Sequence, residues 1–342
     1  MKDFGTQARE RQRQFRDTSA TISPAARTPT DDKGRRNGHL LAVGHEERNL
    51  YPLLRGPTGA GAFLAARGVH WWRSSRSGDD TKVNGPTRNL ASSQIACVNF
   101  LLPLAQTPAA LLAILREVDA DVTEVEALRY HCLATSTDLT SLVEFEWVGR
   151  DSCLEGGSGT RGANTTSVDA LMVGVTGTGV RRAYLFEWKY VEEYIGAEYL
   201  GEGKSGDTRR RRYSKLYADP GSRFSGQVPM EELFYEPFYQ IMRLGLLADK
   251  MVRDKEFGVT EAKVVVVCPE GNIAYRETIT SPALKTRFPA AATVEEAVKF
   301  ALRTPACFTM TSPETLVAAV PQNQSDERLS KWLAYQRERY GY

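Results

Sequence analysis

The chain is poor in the residues from which most protein metal sites and disulfide scaffolds are built. Among its 342 residues are 5 cysteines and 4 histidines, all scattered. No two cysteines form a Cys-x-x-Cys pair, which argues against a zinc site and against a disulfide framework. Isolated cysteines with apolar or small neighbours are typical of buried thiols in a reducing compartment, so we expect a cytoplasmic protein.

Large fields of one charge and long apolar runs are also missing. The 44 Lys and Arg residues nearly balance the 42 Asp and Glu residues, for a net charge of +2. No global potential therefore indicates nucleic-acid binding, and any basic surface must be local. No apolar run approaches the length of a membrane helix, and the first ten residues lack the apolar core of a signal peptide. We expect no membrane partner.

Composition along the chain predicts one large domain preceded by a tail. Residues 1–38 are polar and predict a flexible arm with a short helix near Thr6–Arg16. Residues 39–342 are predicted to form a single domain with a core over about 89–268. Residues 191–228 lack a clear period and are predicted to be an insertion. Residues 269–342 are then a C-terminal extension.

Hydrophobic periodicity predicts a regular order of elements in this core. Ser92 or Ser93 would begin the first helix, and Pro108 would open the next. A Gly-rich turn joins two of the strands as a hairpin. The predicted order is helix, strand, strand, strand, helix and strand, over residues 89–103, 141–149, 166–175, 182–189, 233–247 and 262–268.

Three residues on the two hairpin strands carry the most information about function. Glu187 and Lys189 lie two residues apart on one strand and so share a face, while Trp188 points the other way. Asp169 on the neighbouring strand would complete the cluster. Two adjacent carboxylates repel each other unless a cation lies between them, and Mg²⁺ prefers such oxygen ligands. The pattern favours metal-assisted hydrolysis of a phosphodiester.

A solvated strand edge with a weak ion pair is the simplest alternative for Glu187 and Lys189. The apolar neighbours of the pair indicate a buried strand instead, where charges must be paired or metal-bound. A small-molecule enzyme of another α/β type is a second alternative. It is weakened because the sequence has neither a Gly-rich phosphate loop nor a nucleophile elbow.

In this context the chain resembles the PD-(D/E)xK superfamily of restriction-endonuclease-like nucleases, and within it a group of uncharacterised bacterial restriction endonucleases. The similar segments lie between Asn89 and Cys268: they are Ser92–Phe100, Phe145-Glu146, Leu154-Glu155-Gly156, Thr166–Asp169 and Glu187–Tyr190. Val168 replaces the proline that leads the family's motif, whereas Glu-x-Lys is intact. The resemblance implies an αβββαβ core with a mixed central sheet flanked by helices, plus N- and C-terminal extensions.

The same resemblance implies roles for the three residues. Asp169, Glu187 and the backbone carbonyl of Trp188 would hold Mg²⁺ (or Mn²⁺). Lys189 would orient the attacking water or help to deprotonate it. The expected activity is a metal-dependent endonuclease on nucleic acid, most naturally DNA, in restriction or phage defence. A catalytically inactive nucleic-acid-binding or structural member of the fold is the alternative. A homodimer would serve double-strand cleavage.

Two acidic residues near the triplet are further candidates. Glu146 shares a predicted face with Glu144, while Phe145 and Trp147 share the opposite face. It would be either a third catalytic carboxylate or part of a solvated edge strand, and the resemblance favours the first. Glu155 lies in a Gly-rich loop, where we expect a solvated surface side chain.

The remaining candidates are polar or aromatic residues outside the strands. Gln240 lies three residues before Arg243 on one helix face, and in several branches of the superfamily a glutamine here supports the site. The run Arg209, Arg210, Arg211 and Arg212 is either a solvated charge run or a clamp for backbone phosphates. Of Trp71 and Trp72, adjacent on a strand, at least one is expected in the core.

Overall fold

The computed structural model describes residues 3–27, 38–75, 79–82, 84–149, 154–155, 165–196, 198–289, 292–321 and 326–342. Within these ranges the helices are α1 Phe4–Thr18, α2 Ala60–Ala65, α3 Ser93–Leu101, α4 Pro108–Val118, α5 Gly203–Tyr217, α6 Phe238–Arg253, α7 Ile273–Glu277, α8 Pro282–Arg287, α9 Val294–Ala301, α10 Pro313–Ala319 and α11 Glu327–Arg339. The strands are β1 Val122–Glu126, β2 Leu128–Cys132, β3 Thr137–Ser141, β4 Glu144–Trp147, β5 Val168–Thr176, β6 Arg181–Trp188, β7 Glu261–Val267 and β8 Phe308–Thr311. In the part of the chain thus described, no helix is both long and apolar enough to cross a membrane.

A mixed six-stranded sheet forms the centre of the molecule. Its order is β1-β5-β6-β7-β8, and β4 also pairs with β5. Both β1 and β4 run antiparallel to β5, β1 along its second half and β4 along its first. Strands β5 and β6 are antiparallel, whereas β6, β7 and β8 are parallel. Strands β2 and β3 form a separate hairpin.

Helices cover both faces of the sheet because its central strands are apolar on both faces. On β6, Tyr184, Phe186 and Trp188 pack into one core together with residues of α1, α3, α4, α10 and α11. Ala183 and Leu185 point the other way, into a second core with α5, α6, α7, α8 and α9. We call these the α3 core and the α6 core. The triplet strand is therefore central and buried, as its apolar neighbours predicted.

Most of the predicted elements are confirmed, and the restriction-endonuclease-like fold with them. Helix α3 begins after Ser92, whose hydroxyl oxygen accepts a hydrogen bond from the Ile95 backbone amide at 3.4 Å. Helix α4 begins at Pro108. The periodicity did not reveal β1, the β2–β3 hairpin or β8. It also missed α5, because this helix is strongly polar and lies in the segment predicted to be an irregular insertion.

The N-terminal segment differs from the predicted flexible arm. Helix α1 is longer than expected and packs on the domain through Ala8, Gln12, Phe15 and Arg16, all buried. Gln12 Nε2 donates hydrogen bonds to the Tyr190 hydroxyl at 2.7 Å and to the Arg339 carbonyl at 3.0 Å. The helical spacing of these residues was present in the sequence, but two of them are polar, so composition alone indicated solvent. Residues 28–37 of the predicted arm lie outside the described residues.

Candidate active site

Asp169 lies on β5 between the two strands that carry the other acidic candidates. On one side, β4 pairs with β5 so that Phe145 faces Ala170 and Trp147 faces Val168, which places Glu146 beside Asp169. On the other side, the Trp188 backbone amide donates a hydrogen bond to Asp169 Oδ2 at 2.7 Å. The Asp169 carboxylate is thus held against β6, next to the residue whose carbonyl was predicted to bind metal.

Glu187, Lys189 and Gln240 form a closed hydrogen-bonded triangle. Lys189 Nζ lies 2.8 Å from Glu187 Oε1 and donates to Gln240 Oε1 at 2.7 Å. Gln240 Nε2 in turn donates to Glu187 Oε1 at 2.6 Å. Period-two alternation on β6 puts both charged residues on the α6 side of the sheet, where Gln240 lies on the first turns of α6. The structure thus brings the predicted residues together.

The second carboxylate oxygen of Glu187, Oε2, takes no part in this triangle. Glu187 is 2% exposed, and its Oε2 atom is buried with no hydrogen-bond partner among the residues that the structure describes. Burial raises the pKa of Glu187, and the nearby Lys189 ammonium offsets this only in part; the charge of Glu146 raises it further. A buried carboxylate oxygen without a partner is costly, and a bound cation at this position would remove the cost.

Lys189 is also buried, but its charge is stabilised. Burial favours the neutral amine, yet the Glu187 carboxylate outweighs burial, and the pKa of Lys189 lies well above its usual range. An ammonium with a raised pKa donates hydrogen bonds and stabilises negative charge; it does not accept a proton at neutral pH. In this arrangement Lys189 suits the stabilisation of charge better than the deprotonation of water.

Glu146 is held by two polar neighbours rather than exposed on a sheet edge. Its Oε1 accepts a hydrogen bond from Gln94 Nε2 at 2.7 Å, and its Oε2 accepts one from the Ser167 hydroxyl at 3.1 Å. Glu146 is 5% exposed, so the solvated alternative is wrong. The side chain lies with Asp169 at the start of β5.

The predicted alternation along β4 is wrong at this point. Glu146 has a left-handed backbone with φ 53°, which few non-glycine residues adopt. Phe145 consequently packs in the α3 core, whereas Trp147 packs in the α6 core, and the two do not share a face. Glu144, which was grouped with Glu146, instead forms a buried ion pair with Arg67 at 2.6 Å. The unusual backbone therefore separates the structural glutamate from the one at the site.

The side chain of Glu155 is only 1% exposed, contrary to the expected solvated loop position. Its carboxylate accepts hydrogen bonds from the Thr166 backbone amide at 2.8 Å and from the Tyr213 hydroxyl at 2.8 Å. Arg243 Nη2 lies 3.4 Å away. Burial opposes ionisation here, but the bonds from Thr166 and the charge of Arg243 prevail, and the pKa of Glu155 is lowered. The residue fixes the start of β5 against α5 and α6.

A cleft of about 160 Å³ connects these residues to the surface. It is lined by Trp72, Glu146, Thr165, Thr166, Ser167, Asp169, Glu187, Gln240, Arg243 and Leu244. Lys189 is not among the lining residues, but it contacts Glu187 and Gln240, which are. The sequence had already placed Gln240 and Arg243 on one helix face. It did not single out Gln94, Ser167 or Thr166, whose roles depend on contacts between distant segments.

The four arginines Arg209–Arg212 are spread around helix α5 instead of forming one patch. Arg209 donates to the Leu200 carbonyl, and Arg210 donates to the Gly201 carbonyl at 2.7 Å. Arg211 is exposed. Consecutive helical residues differ by about 100° in direction, so four in a row cannot all face one strand of nucleic acid.

No group of three or more His, Cys, Asp or Glu side chains within the described ranges is arranged to hold a metal ion. The metal ligands predicted from the sequence are not such a group of three side chains, because they combine the carboxylates of Asp169 and Glu187 with the backbone carbonyl of Trp188. Their chemistry fits a hard cation: all donors are oxygens, two carboxylates lie on adjacent strands, and one carboxylate oxygen has no other partner in the described structure.

A mixed sheet between helical layers, with Asp169 and Glu187-Trp-Lys189 on adjacent central strands, defines a restriction-endonuclease-like protein. The chain belongs to the family described as restriction endonuclease associating with ARP, which matches residues 69–341. That stretch contains every site candidate named above. No curated protein and no solved structure matched the chain.

Proposed function

We propose that this protein is a Mg²⁺-dependent (or Mn²⁺-dependent) endonuclease that hydrolyses DNA phosphodiester bonds with a metal-activated water. The observation that carries the proposal is the buried Oε2 of Glu187, which has no hydrogen-bond partner within the described ranges and lies in a cleft that Asp169 and Glu146 also line. The Lys189 ammonium offsets only one of the three carboxylates beside this narrow cleft, and a bound cation would reduce the remaining repulsion among them and towards a phosphate. Membership in a restriction endonuclease family supports nuclease chemistry.

Asp169, Glu187 and the Trp188 carbonyl are the groups that would hold the cation. When bound, it would polarise the phosphoryl oxygen and lower the pKa of a bound water. The hydrogen bond from the Trp188 amide fixes Asp169 Oδ2 in place before substrate arrives. Such prior positioning contributes to catalysis because the side chain does not have to reorganise during the reaction.

Lys189 and Gln240 would act on the charge that develops at the phosphate. The Lys189 ammonium is held by Glu187 and Gln240, and Gln240 bonds both charged partners at once. Lys189 would remain an ammonium and stabilise negative charge beside Glu187, the residue that would hold the cation. Gln240 would keep both side chains aligned through its two hydrogen bonds.

The test is a nuclease assay on supercoiled plasmid, linear duplex and single-stranded DNA, with Mg²⁺, Mn²⁺ or chelator. We expect cleavage with either metal and none with chelator. Asp169→Ala and Lys189→Ala should remain folded and lose cleavage by at least about 100-fold, since the first removes a group that would hold the cation and the second removes a charge that would stabilise the phosphate. Glu124→Gln, which changes an exposed carboxylate on β1, should cleave like the wild type. Cleavage that persists in both site variants would refute the assignment.

We also propose that the protein acts as a homodimer in restriction or phage defence. Cutting both strands of a duplex in one encounter needs two active sites, which a symmetric dimer supplies. The family description supports a restriction context. Sedimentation with and without duplex DNA would test the dimer. A monomer that still linearises plasmid in a single step would contradict it.

A further inference from the structure

Trp72 lies where the catalytic cleft meets a second, larger groove. It lines both the cleft of about 160 Å³ and a groove of about 770 Å³. The Trp72 side chain is 61% exposed, whereas Trp71 beside it is 7% exposed and belongs to the α3 core. Trp71 therefore anchors the segment in the core, and Trp72 presents an aromatic face at the mouth of the site.

One side chain fixes Trp72 relative to the carboxylates. Gln94 Oε1 accepts a hydrogen bond from the Trp72 backbone amide at 2.8 Å, while Gln94 Nε2 donates to Glu146 Oε1 at 2.7 Å. Gln94 is 5% exposed and lies in the first turn of helix α3, so it is itself held in place. The position of the exposed indole is therefore set with respect to the residues that face the phosphate.

The lining of the larger groove suits the binding of a nucleobase better than the binding of a phosphate backbone. The charged residues that line it balance, because Arg9 and Arg73 are matched by Glu192 and Glu193. Arg73 is also occupied, since its Nη1 donates to the carbonyls of Gly85 and Pro86. Much of the remaining lining is made of hydroxyl and amide side chains, including Ser74, Asn89 and Ser93. A volume of 770 Å³ falls within the range of about 300–1,000 Å³ typical of small-ligand sites.

We propose that Trp72 forms a stacking subsite for one unpaired nucleobase of the strand whose phosphodiester occupies the catalytic cleft. This inference rests on the proposed nuclease function and narrows its substrate. A paired base inside a duplex has both faces covered by its neighbours, and reaching an aromatic side chain requires unstacking. The subsite therefore favours single strands, frayed ends or locally opened duplex over an intact duplex.

Binding can be tested without cleavage, in chelator and again with Ca²⁺, with a fluorescent 12-nucleotide oligothymidylate and a blunt duplex. Trp72 is the exposed one of the 5 tryptophans, and the other four are at most 9% exposed. Oligothymidylate should therefore quench the intrinsic fluorescence of the wild type. Trp72→Leu should bind it about 5- to 150-fold more weakly, which corresponds to the loss of one base–aromatic stack of about 1–3 kcal/mol. Trp72→Phe should restore most of the affinity.

The matched control is Leu133→Ala, which removes an apolar side chain that is 81% exposed and lines neither cavity. It should bind oligothymidylate like the wild type. Three results would each overturn the subsite. They are equal affinity of Trp72→Leu and wild type for oligothymidylate, no quenching of wild-type fluorescence, and tighter binding of the blunt duplex than of oligothymidylate. These measurements involve no cleavage. Metal-dependent cleavage without quenching would refute the subsite alone, and quenching without any cleavage would refute the nuclease proposal alone.

Discussion

Gln240 Nε2 donates a hydrogen bond to Glu187 Oε1 at 2.6 Å, from a helix that begins some 50 residues after the strand it supports. The same amide accepts a hydrogen bond from Lys189 through its oxygen. A single uncharged side chain thus orients both charged residues of the Glu-x-Lys motif. Supporting residues of this kind tune the groups that contact a metal, although they do not contact it themselves.

Replacement of Gln240 by leucine should impair catalysis more than folding. It removes the amide that bridges Glu187 and Lys189, so we expect a loss of about 10- to 100-fold in cleavage and in apparent Mg²⁺ affinity. The free energy of unfolding should fall by about 1–2 kcal/mol. Single-turnover cleavage against Mg²⁺ concentration measures the first effect. Gln227→Leu, an exposed glutamine outside the site, is the control. If both variants cleave equally fast, Gln240 has no positioning role.

The arginine run should separate into structural and phosphate-contacting members. Arg209 and Arg210 hold the loop before α5 through backbone carbonyls, so Arg209→Ala should lower stability. Arg211 is exposed, so of the predicted clamp residues it is the one that we expect to contact a DNA phosphate. Arg211→Ala should then reduce the slope of log affinity against log salt by about 0.9. Duplex binding between 50 and 300 mM salt gives the slope. An unchanged slope for Arg211→Ala would exclude the contact.

Helix α1 should prove to be an integral part of the domain, because it meets α11 at a buried arginine. Arg339 is fully buried and donates to Gln12 Oε1 at 3.1 Å, to the Leu90 carbonyl at 3.1 Å and to Asn49. Arg339→Met would leave several buried acceptors unsatisfied, at about 1–3 kcal/mol each. We expect a loss of about 3 kcal/mol or more in urea unfolding. Arg337→Met, on the exposed face of the same helix, should cost less than 0.5 kcal/mol, within the usual range of about 0.5 kcal/mol for surface changes.

His39 should make stability depend on pH in the acid range. Burial, with help from Arg9 and Arg16, lowers the pKa of His39 from 6.5 to about 4. The unfolded chain therefore takes up this proton at a higher pH than the folded chain, so stability is lost as pH falls from 6.5 towards 4. The loss is on the order of 1–2 kcal/mol, allowing for the partly exposed ring. In His39→Asn this part of the acid dependence should vanish. An NMR titration midpoint of His39 near 6.5 would contradict the assignment.

The sequence by itself determined the central strands of the sheet and the position of Asp169, Glu187 and Lys189 on or next to them. Apolar runs flanking Glu187 and Lys189 required a buried strand, and period two put the two charges on one face. Those are local properties, readable from neighbours along the chain. The same logic failed at Glu146, where a left-handed backbone conformation redirects the side chains that follow. Alternation cannot predict a conformation that only surrounding contacts stabilise.

Only the tertiary structure decided which polar side chains belong to the site. Gln94, Gln240 and Glu155 lie on segments far apart in sequence, and composition alone predicted a solvated surface position for Glu155. Each is buried or nearly so because its partner comes from another element: Glu146 for Gln94, Glu187 and Lys189 for Gln240, and Thr166, Tyr213 and Arg243 for Glu155. A polar side chain is buried only where hydrogen bonds replace those lost from water, and those partners are fixed by the fold rather than by the neighbouring sequence.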